Sequence, residues 1–241
     1  MIDVLRASTT IVTALAHGAS RVRPVLEVAD ARRWPDRPDA PPGVLVGGER
    51  GGLTIPGFDL GNSPLEYSAA RVAGRPVVIT TTNGTAAIDA CGDALDVLVG
   101  AMVNRSAVAA EARRLADRRG TEAIHLVCAG TDGVETEEDL LAAGAILDAA
   151  TRLPGAAHDT LDASARDALT GFLEVVRRGV DAPAAHDAIA ESFAASRGGR
   201  NLIALGMRPD LAAAARIDSL PLAPRLDRGS GWIEVEADDR A

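Results

Sequence analysis

The chain contains no lysine; all 25 of its basic residues are arginine. That absence excludes a P-loop lysine, a Schiff-base lysine and a pyridoxal-phosphate attachment. Positive charge offered to a ligand must come from arginine, whose planar fork suits carboxylate, phosphate and sulfonate. Acidic residues outnumber basic ones, 34 to 25, for a net charge of -9, which argues against nonspecific nucleic-acid binding. Aromatic residues make up only 2%, so the core must be built from Val, Ile, Leu and Ala with close backbone packing. The two cysteines, Cys91 and Cys128, suit a reducing compartment better than a disulfide framework, and their plain reading is as small buried hydrophobes. No apolar run reaches the roughly 18–20 residues of a membrane span, and nothing at the N-terminus resembles a signal peptide. The expected location is cytoplasmic, with neither membrane nor nucleic acid as partner.

What is present is an alternation of strand and helix. Apolar runs at Val22–Leu26, Val44–Val46, Val77–Ile79, Leu95–Val99 and Ala123–Cys128 read as strands. Between them lie helical patterns, one capped by Ser8 or Thr9 and closed by Gly18, another opened by the capping-box sequence Thr136–Asp139. Runs of this kind predict an α/β fold: a largely parallel sheet with helices on both faces, a three-layer α/β/α arrangement. Leu161–Arg178, Pro183–Ser196 and Pro209–Ile217 read as further helices, Leu202–Leu205 as a strand, and Trp232–Val235 as a last, edge strand. Ala31–Gly43 reads as an exposed connection, and the polar tail after Val235 as frayed. At 241 residues the chain reads as a single domain, with a smaller C-terminal subdomain from about residue 155 as a variant of that reading.

The stretch Gly47–Pro64, GGERGGLTIPGFDLGNSP, carries no helical or alternating period. It reads as a pinned functional loop that presents Glu49, Arg50, Asp59, Asn62 and Ser63, with an Ω-loop packed for its own sake as the bland alternative. RASTT, TTTNGT, VNRS and CAGTDGVETEED fall at strand-to-helix junctions, where open α/β sheets bind ligands. Thr82, Asn83, Gly84 and Thr85 offer hydroxyls and N–H groups to an anion, and plain helix capping competes with that role. Asp3, Glu49, Asp59, Glu138 and Asp139 are hard oxygen donors of the kind Mg²⁺ prefers, although acidic residues also favour a helix start for electrostatic reasons alone. Other motifs fail. Val134 stands where a cysteine-phosphatase loop needs arginine after Cys128, and Leu5 where a DxDx(T/V) motif needs its second aspartate. His17, His125, His158 and His186 show no metal-binding spacing. The residues by themselves give an α/β protein that binds a small anion.

The motifs DVLRASTT, GGER, GFDLGNSPLEY, TTTNGT, CAGT, EDLLAAGAI and SRGGRNLIALGMRPDLAAAARID, in that order, resemble the 2-phosphosulfolactate phosphatase (ComB) family from Ile2 to about Asp218. The resemblance implies a ComB-like α/β domain that hydrolyses 2-phospho-3-sulfolactate to 3-sulfolactate and phosphate with Mg²⁺, a step in coenzyme M biosynthesis. It implies Asp3, Arg6, Glu49, Arg50 and Cys128 as catalytic residues; the motifs leave open whether a side chain or a water attacks phosphorus, and the reading favoured here is a Mg²⁺-activated water with Arg6 and Arg50 on the transferring phosphoryl group. Ser8, Thr9, Asn62, Ser63, Thr82, Asn83, Gly84, Thr85 and Arg200 would bind substrate, and Asp3, Asp59, Glu138 and Asp139 the metal. The partner is a small anionic phosphoester, and a homo-oligomer is compatible with the sequence. Ala86 stands where relatives often carry a basic residue, which implies loosened substrate choice. A module that binds an anionic metabolite without turnover is the alternative of another class. Only Met1 and Ile2 precede Asp3, too few for a strand, so the chain is expected to be short at its N-terminus with Asp3 poorly held.

Overall fold

Val77, Val78 and Ile79 lie fully buried at the centre of the sheet, as a continuous apolar run does when both faces of its strand are covered. The computed structural model describes every residue except 122, 157–158, 180 and 237–241, so His158 and the end of the tail lie outside the described residues. The first half runs α1 (Ala7–Ala16), β1 (Arg21–Pro24), α2 (Val28–Arg33), β2 (Leu45–Arg50), β3 (Leu53–Thr54), α3 (Ala69–Val72), β4 (Pro76–Thr80) and α4 (Gly84–Ala90). The second runs α5 (Arg105–Arg119), α6 (Glu137–Ala150), α7 (Ala163–Val176), α8 (Ala182–Ala195), α9 (Arg197–Ala204), α10 (Arg208–Ala214), β5 (Arg225–Asp227) and β6 (Trp232–Glu234).

The strands form one sheet in the order β3-β2-β4-β1-β6-β5. β2, β4 and β1 are parallel, with Val46 opposite Val78 and Val22 opposite Val77. β6 pairs antiparallel with both β1 and β5, so Trp232–Glu234 lies inside the sheet and not at its edge. Beyond β5 the backbone pairing continues. Leu226 donates to Val97 O at 2.9 Å, Gly100 to Met1 O at 3.0 Å, Ile2 to Val127 O at 2.8 Å and Ala129 to Ile2 O at 2.7 Å. The runs expected as strands at 95–99 and 123–128 therefore pair through single bridges at Leu98, Gly100 and Cys128. The chain leaves the ladder at Asp3 to enter α1, and this keeps the pairing short.

Alternation along the strands sorts the core into two clusters. Val46 and Val78 pack with Ala31, Trp34 and Trp232, while Leu45, Val77 and Ile79 join the larger cluster that includes α1 and α6. Trp34 is buried, so the stretch expected as an exposed connection carries α2 and a 3₁₀ turn that cover one side of the sheet. The Gly47–Pro64 stretch is more regular than its composition suggests. β2 continues through Arg50, and Gly51 and Gly52, with φ of 59° and 81°, turn the chain into β3. Leu202–Ala204 is the end of helix α9, capped by Ser196, whose hydroxyl oxygen accepts from Gly199 N at 3.2 Å, and not a strand. A short apolar run does not by itself separate the two periods. No helix among the described residues is long and apolar enough to cross a membrane.

Candidate active site

Asp3 follows directly on the Ile2 bridge and is buried, in contrast to the frayed terminus expected from sequence. Ser8 holds its backbone from both sides: the Asp3 N–H donates to Ser8 Oγ at 3.2 Å, and that hydroxyl donates to Asp3 O at 2.8 Å. Ser8 and Thr9 thus sit inside α1 and tie the preceding loop, Thr9 Oγ1 donating to Val4 O, while Asp3 Oδ1 accepts from Ala7 N at the start of the helix. Gly84 stands against the same carboxylate. A Cβ at that position would lie 2.6 Å from Asp3 Oδ2 and 2.5 Å from Ala7 Cβ, so only glycine lets α4 begin there.

α6 brings the next two carboxylates. Thr136 makes no side-chain cap, and Glu138 and Asp139 turn inward and are buried. Asp139 accepts from Val4 N at 2.8 Å and Gly130 N at 3.0 Å, one donor on each of its oxygens. Glu138 Oε1 accepts from Gly198 N at 3.1 Å, and Oε2 is buried with no partner. Burial, reinforced by Asp139, Glu49 and Glu138, pushes the Asp3 carboxyl up to about 8, and burial pushes Asp139 up to about 7 against the pull of its two N–H donors.

β2 supplies Glu49, also buried. Its Oε1 accepts from Thr82 N at 2.7 Å, and its Oε2 from Gly52 N at 2.8 Å and Thr82 Oγ1 at 3.2 Å. Thr85 exchanges hydrogen bonds with Thr81, and Asn83 Oδ1 accepts from Asp132 N at 3.4 Å. The Arg6 guanidinium is buried and ion-paired with Asp210 at 2.8 Å. It also donates to Gly52 O at 2.7 Å and lies 2.8 Å from Met207 Sδ. Ser63 Oγ donates to the other oxygen of Asp210 at 2.7 Å. Beside it Asn62 is buried, its Oδ1 without a partner. Sequence reasoning missed Asp210, because an acidic residue in the first turn of α10 reads as a helix-dipole preference.

Three of the residues expected at the site stand apart from this group. Asp59 is exposed and accepts from Val46 N at 2.9 Å. Arg200 is exposed and donates back to Ala195 O. Burial and the nearby Asp139 push the Cys128 thiol up to about 12, the reverse of the lowered value that makes a nucleophilic thiolate, and the side chain packs against the core. Cys128→Ala is accordingly expected to keep turnover within about threefold of wild type; a loss of a hundredfold or more in a folded protein would make the thiol a participant.

Carboxylate oxygens, a guanidinium and a glycine-started helix thus meet beyond the carboxyl ends of parallel strands, the layout of an α/β enzyme acting on a small polar substrate. Comparison with known proteins narrows this class. The pattern of the family described as 2-phosphosulpholactate phosphatase matches residues 1–229. A protein from Deinococcus radiodurans is 44% identical over 232 residues, 95% of this chain and 87% of its own length. One from Symbiobacterium thermophilum is 40% identical over 233 residues, with 95% and 91% covered. Both are named probable 2-phosphosulfolactate phosphatase. The chain belongs to the 2-phosphosulpholactate phosphatase family, and so to the phosphoric monoester hydrolases.

Proposed function

We propose that this chain hydrolyses 2-phospho-3-sulfolactate, or a closely related small polyanionic phosphoester, to its alcohol and phosphate, with Mg²⁺. The observation that carries the reading is the account of carboxylate oxygens. Every oxygen of Asp139 and Glu49 already accepts from a donor, whereas Glu138 Oε2 is buried without a partner and no donor among the described residues reaches Asp3 Oδ2. Two free, mutually repelling oxygens suit a divalent cation that takes one or two carboxylates and fills its remaining positions with water and phosphate oxygens. No three His, Cys, Asp or Glu groups among the described residues converge on one point, so the protein would offer the ion at most two carboxylates. Asp3 and Glu138 would hold it, and Asp139 and Gly198 would hold them in place. When bound, the ion would neutralise phosphoryl charge and acidify a bound water.

The chain's own part is positioning. Asp3, as an ionised carboxylate against the ion, would position the attacking water, whose proton passes to solvent as the new P–O bond forms. The bond from phosphorus to the ester oxygen breaks, and that oxygen leaves as the alcohol once protonated. Gly84 keeps the approach to Asp3 Oδ2 free of side-chain bulk. The relatives' names and the ordered motifs favour phosphosulfolactate, and 3-sulfolactate as product would place the reaction in coenzyme M biosynthesis. Purified protein incubated with phosphosulfolactate is expected to release phosphate with Mg²⁺, to fall to background with EDTA, and to recover when Mg²⁺ is restored in excess. Release unchanged by EDTA would remove the metal, and no release from it or from other phosphorylated hydroxyacids would remove the function.

A further inference from the structure

Buried carboxylates repel an anionic substrate, so a site of this kind needs a cation within reach of the part of the substrate that the metal does not neutralise. Arg6 is buried and already paired with Asp210. Arg50 projects from the side of β2 opposite to Glu49, where its guanidinium donates to Glu49 O at 2.7 Å, Leu26 O at 3.0 Å and Thr80 Oγ1 at 3.0 Å.

Arg197 is placed differently. It opens α9, and the next residue, Gly198, lies against Glu138: its N–H donates to Oε1 at 3.1 Å, and a Cβ there would collide with the same oxygen. The other oxygen of Glu138, Oε2, is the buried one without a partner. The Arg197 guanidinium donates to Asp132 Oδ2 at 2.6 Å and to Thr131 O at 3.3 Å. Asp132 N in turn donates to Asn83 Oδ1 at 3.4 Å, and Asn83 precedes Gly84, the glycine packed against Asp3 Oδ2. Two residues before Asp132, Gly130 N holds Asp139 at 3.0 Å. The Arg197–Asp132 pair is therefore tied by contacts to all three carboxylates. Along the chain it stands one residue, about 3.8 Å, from the groups that touch Glu138. It forms the rim above them, since Arg197 and Asp132 are exposed where Asp3, Glu138 and Asp139 are buried.

The Asp132 carboxylate is a replaceable occupant of that guanidinium. The side chains of the pair are 44% and 65% accessible, and pairs so exposed hold only weakly. Asp132 also has a φ of 54°, in the turn closed by Thr131 and Val134, a left-handed conformation that side-chain-bearing residues adopt uncommonly and that recurs at ligand sites. An oxyanion of a substrate can take its place as one charge-assisted bond exchanged for another.

We infer that Arg197 is a specificity-determining residue: it releases Asp132 and binds the anionic group of the substrate that is not transferred, a carboxylate or sulfonate. This rests on the phosphatase reading above. A phosphoryl group held with the ion at Asp3 and Glu138 lies in the buried part of the site, so the group that projects outward from it is the one that meets Arg197. Asp132 competes with the substrate for the same guanidinium.

The test uses variants with opposite expected signs. On 2-phospho-3-sulfolactate with Mg²⁺, Arg197→Ala is expected to raise KM by about 10–100-fold, with Arg197→Lys intermediate. Asp132→Asn removes the competing charge but keeps a residue that tolerates positive φ, and it is expected to lower KM by about two- to fivefold. The double variant should show the KM of Arg197→Ala alone. On isopropyl phosphate, which carries no second anion, the effect of Arg197→Ala should be about tenfold smaller or less. Where a compound is not turned over, its Kd by calorimetry takes the place of KM. An ion pair with only a structural role would shift both single variants in the same direction, and alike on both compounds. Either of those results, or no difference among the variants, overturns the inference. If wild type releases phosphate from neither compound, the proposed function fails separately, and the order of the Kd values still decides the role of Arg197.

Discussion

Replacing Asp3 by asparagine is expected to abolish turnover while raising the melting temperature of the metal-free protein at alkaline pH. The two effects have one cause. Asp3 is buried among Asp139, Glu49 and Glu138, so its charged form is disfavoured until a cation arrives. Asparagine keeps an oxygen for Ala7 N but carries no charge with which to hold a cation. Loss of a group in that role is expected to lower the rate by about a hundredfold or more. The sign of the stability effect follows from the proton count. Asp3 and Asp139 are raised from 3.8 to about 8 and about 7, so the folded chain binds more protons than the unfolded one between those values. Their contribution to stability is complete below the unfolded value, declines as pH rises, and is lost once pH passes the folded values. Metal-free wild type should therefore melt lower at about pH 8.5 than at about pH 6, and Asp3→Asn should flatten that slope. A gain on the order of 2 kcal/mol at the alkaline end corresponds to roughly 4–8 °C in a chain of this length. Melting curves in EDTA across this range decide it. An equally steep slope in the variant, or a lower alkaline melting point, would show that Asp3 is not a strained buried charge.

Asp210→Ala is expected to be among the most destabilising single changes away from the core. It would leave the Arg6 guanidinium buried without its counter-charge and the Ser63 hydroxyl without its acceptor. Breaking a buried pair from one side costs about 3–5 kcal/mol, roughly 6–20 °C here, whereas replacing both partners by apolar groups is often neutral. The double variant Arg6→Met, Asp210→Leu should accordingly melt close to wild type yet remain inactive, because Arg6 also holds Gly52, whose N–H orients Glu49. Denaturant titrations of the two single variants and the double variant give the coupling directly. If the double variant is no more stable than Asp210→Ala, the pair is not what holds these elements together.

The α/β class is legible in the sequence because Val77-Val78-Ile79 and its neighbours are continuous apolar runs, and because Gly18 and Gly120 stop helices where a left-handed residue is needed. Glu138 and Asp139 are visible as an acidic first turn, but their inward direction is not. That direction depends on the Val4, Gly130 and Gly198 N–H groups, which come from three other parts of the chain. Gly47 and Gly48 read as the start of a loop, yet they lie within β2. A Cβ at Gly47 would meet Tyr67 Oη, and one at Gly48 the carbonyl of Thr80. Such reasons lie in distant neighbours and leave no local trace. Asp210 is the extreme case, since its partner Arg6 is 204 positions away.

The antiparallel hairpin of β5 and β6 also bears on how the molecule assembles. It lies between β1 on one side and Leu98 on the other, so it joins the β2-β4-β1 group to the strands around Ile2. Residues 225–234 follow in the chain all the strands they join, and until they dock, the two groups of strands each present an open edge. Asp3 and Asp139 belong to one group, Glu49 and Thr82 to the other. The folding chain must therefore hold two unfinished sheets until β5 and β6 join them. Pairings of such long sequence separation are slow to form, and open strand edges are prone to aggregate until they are paired.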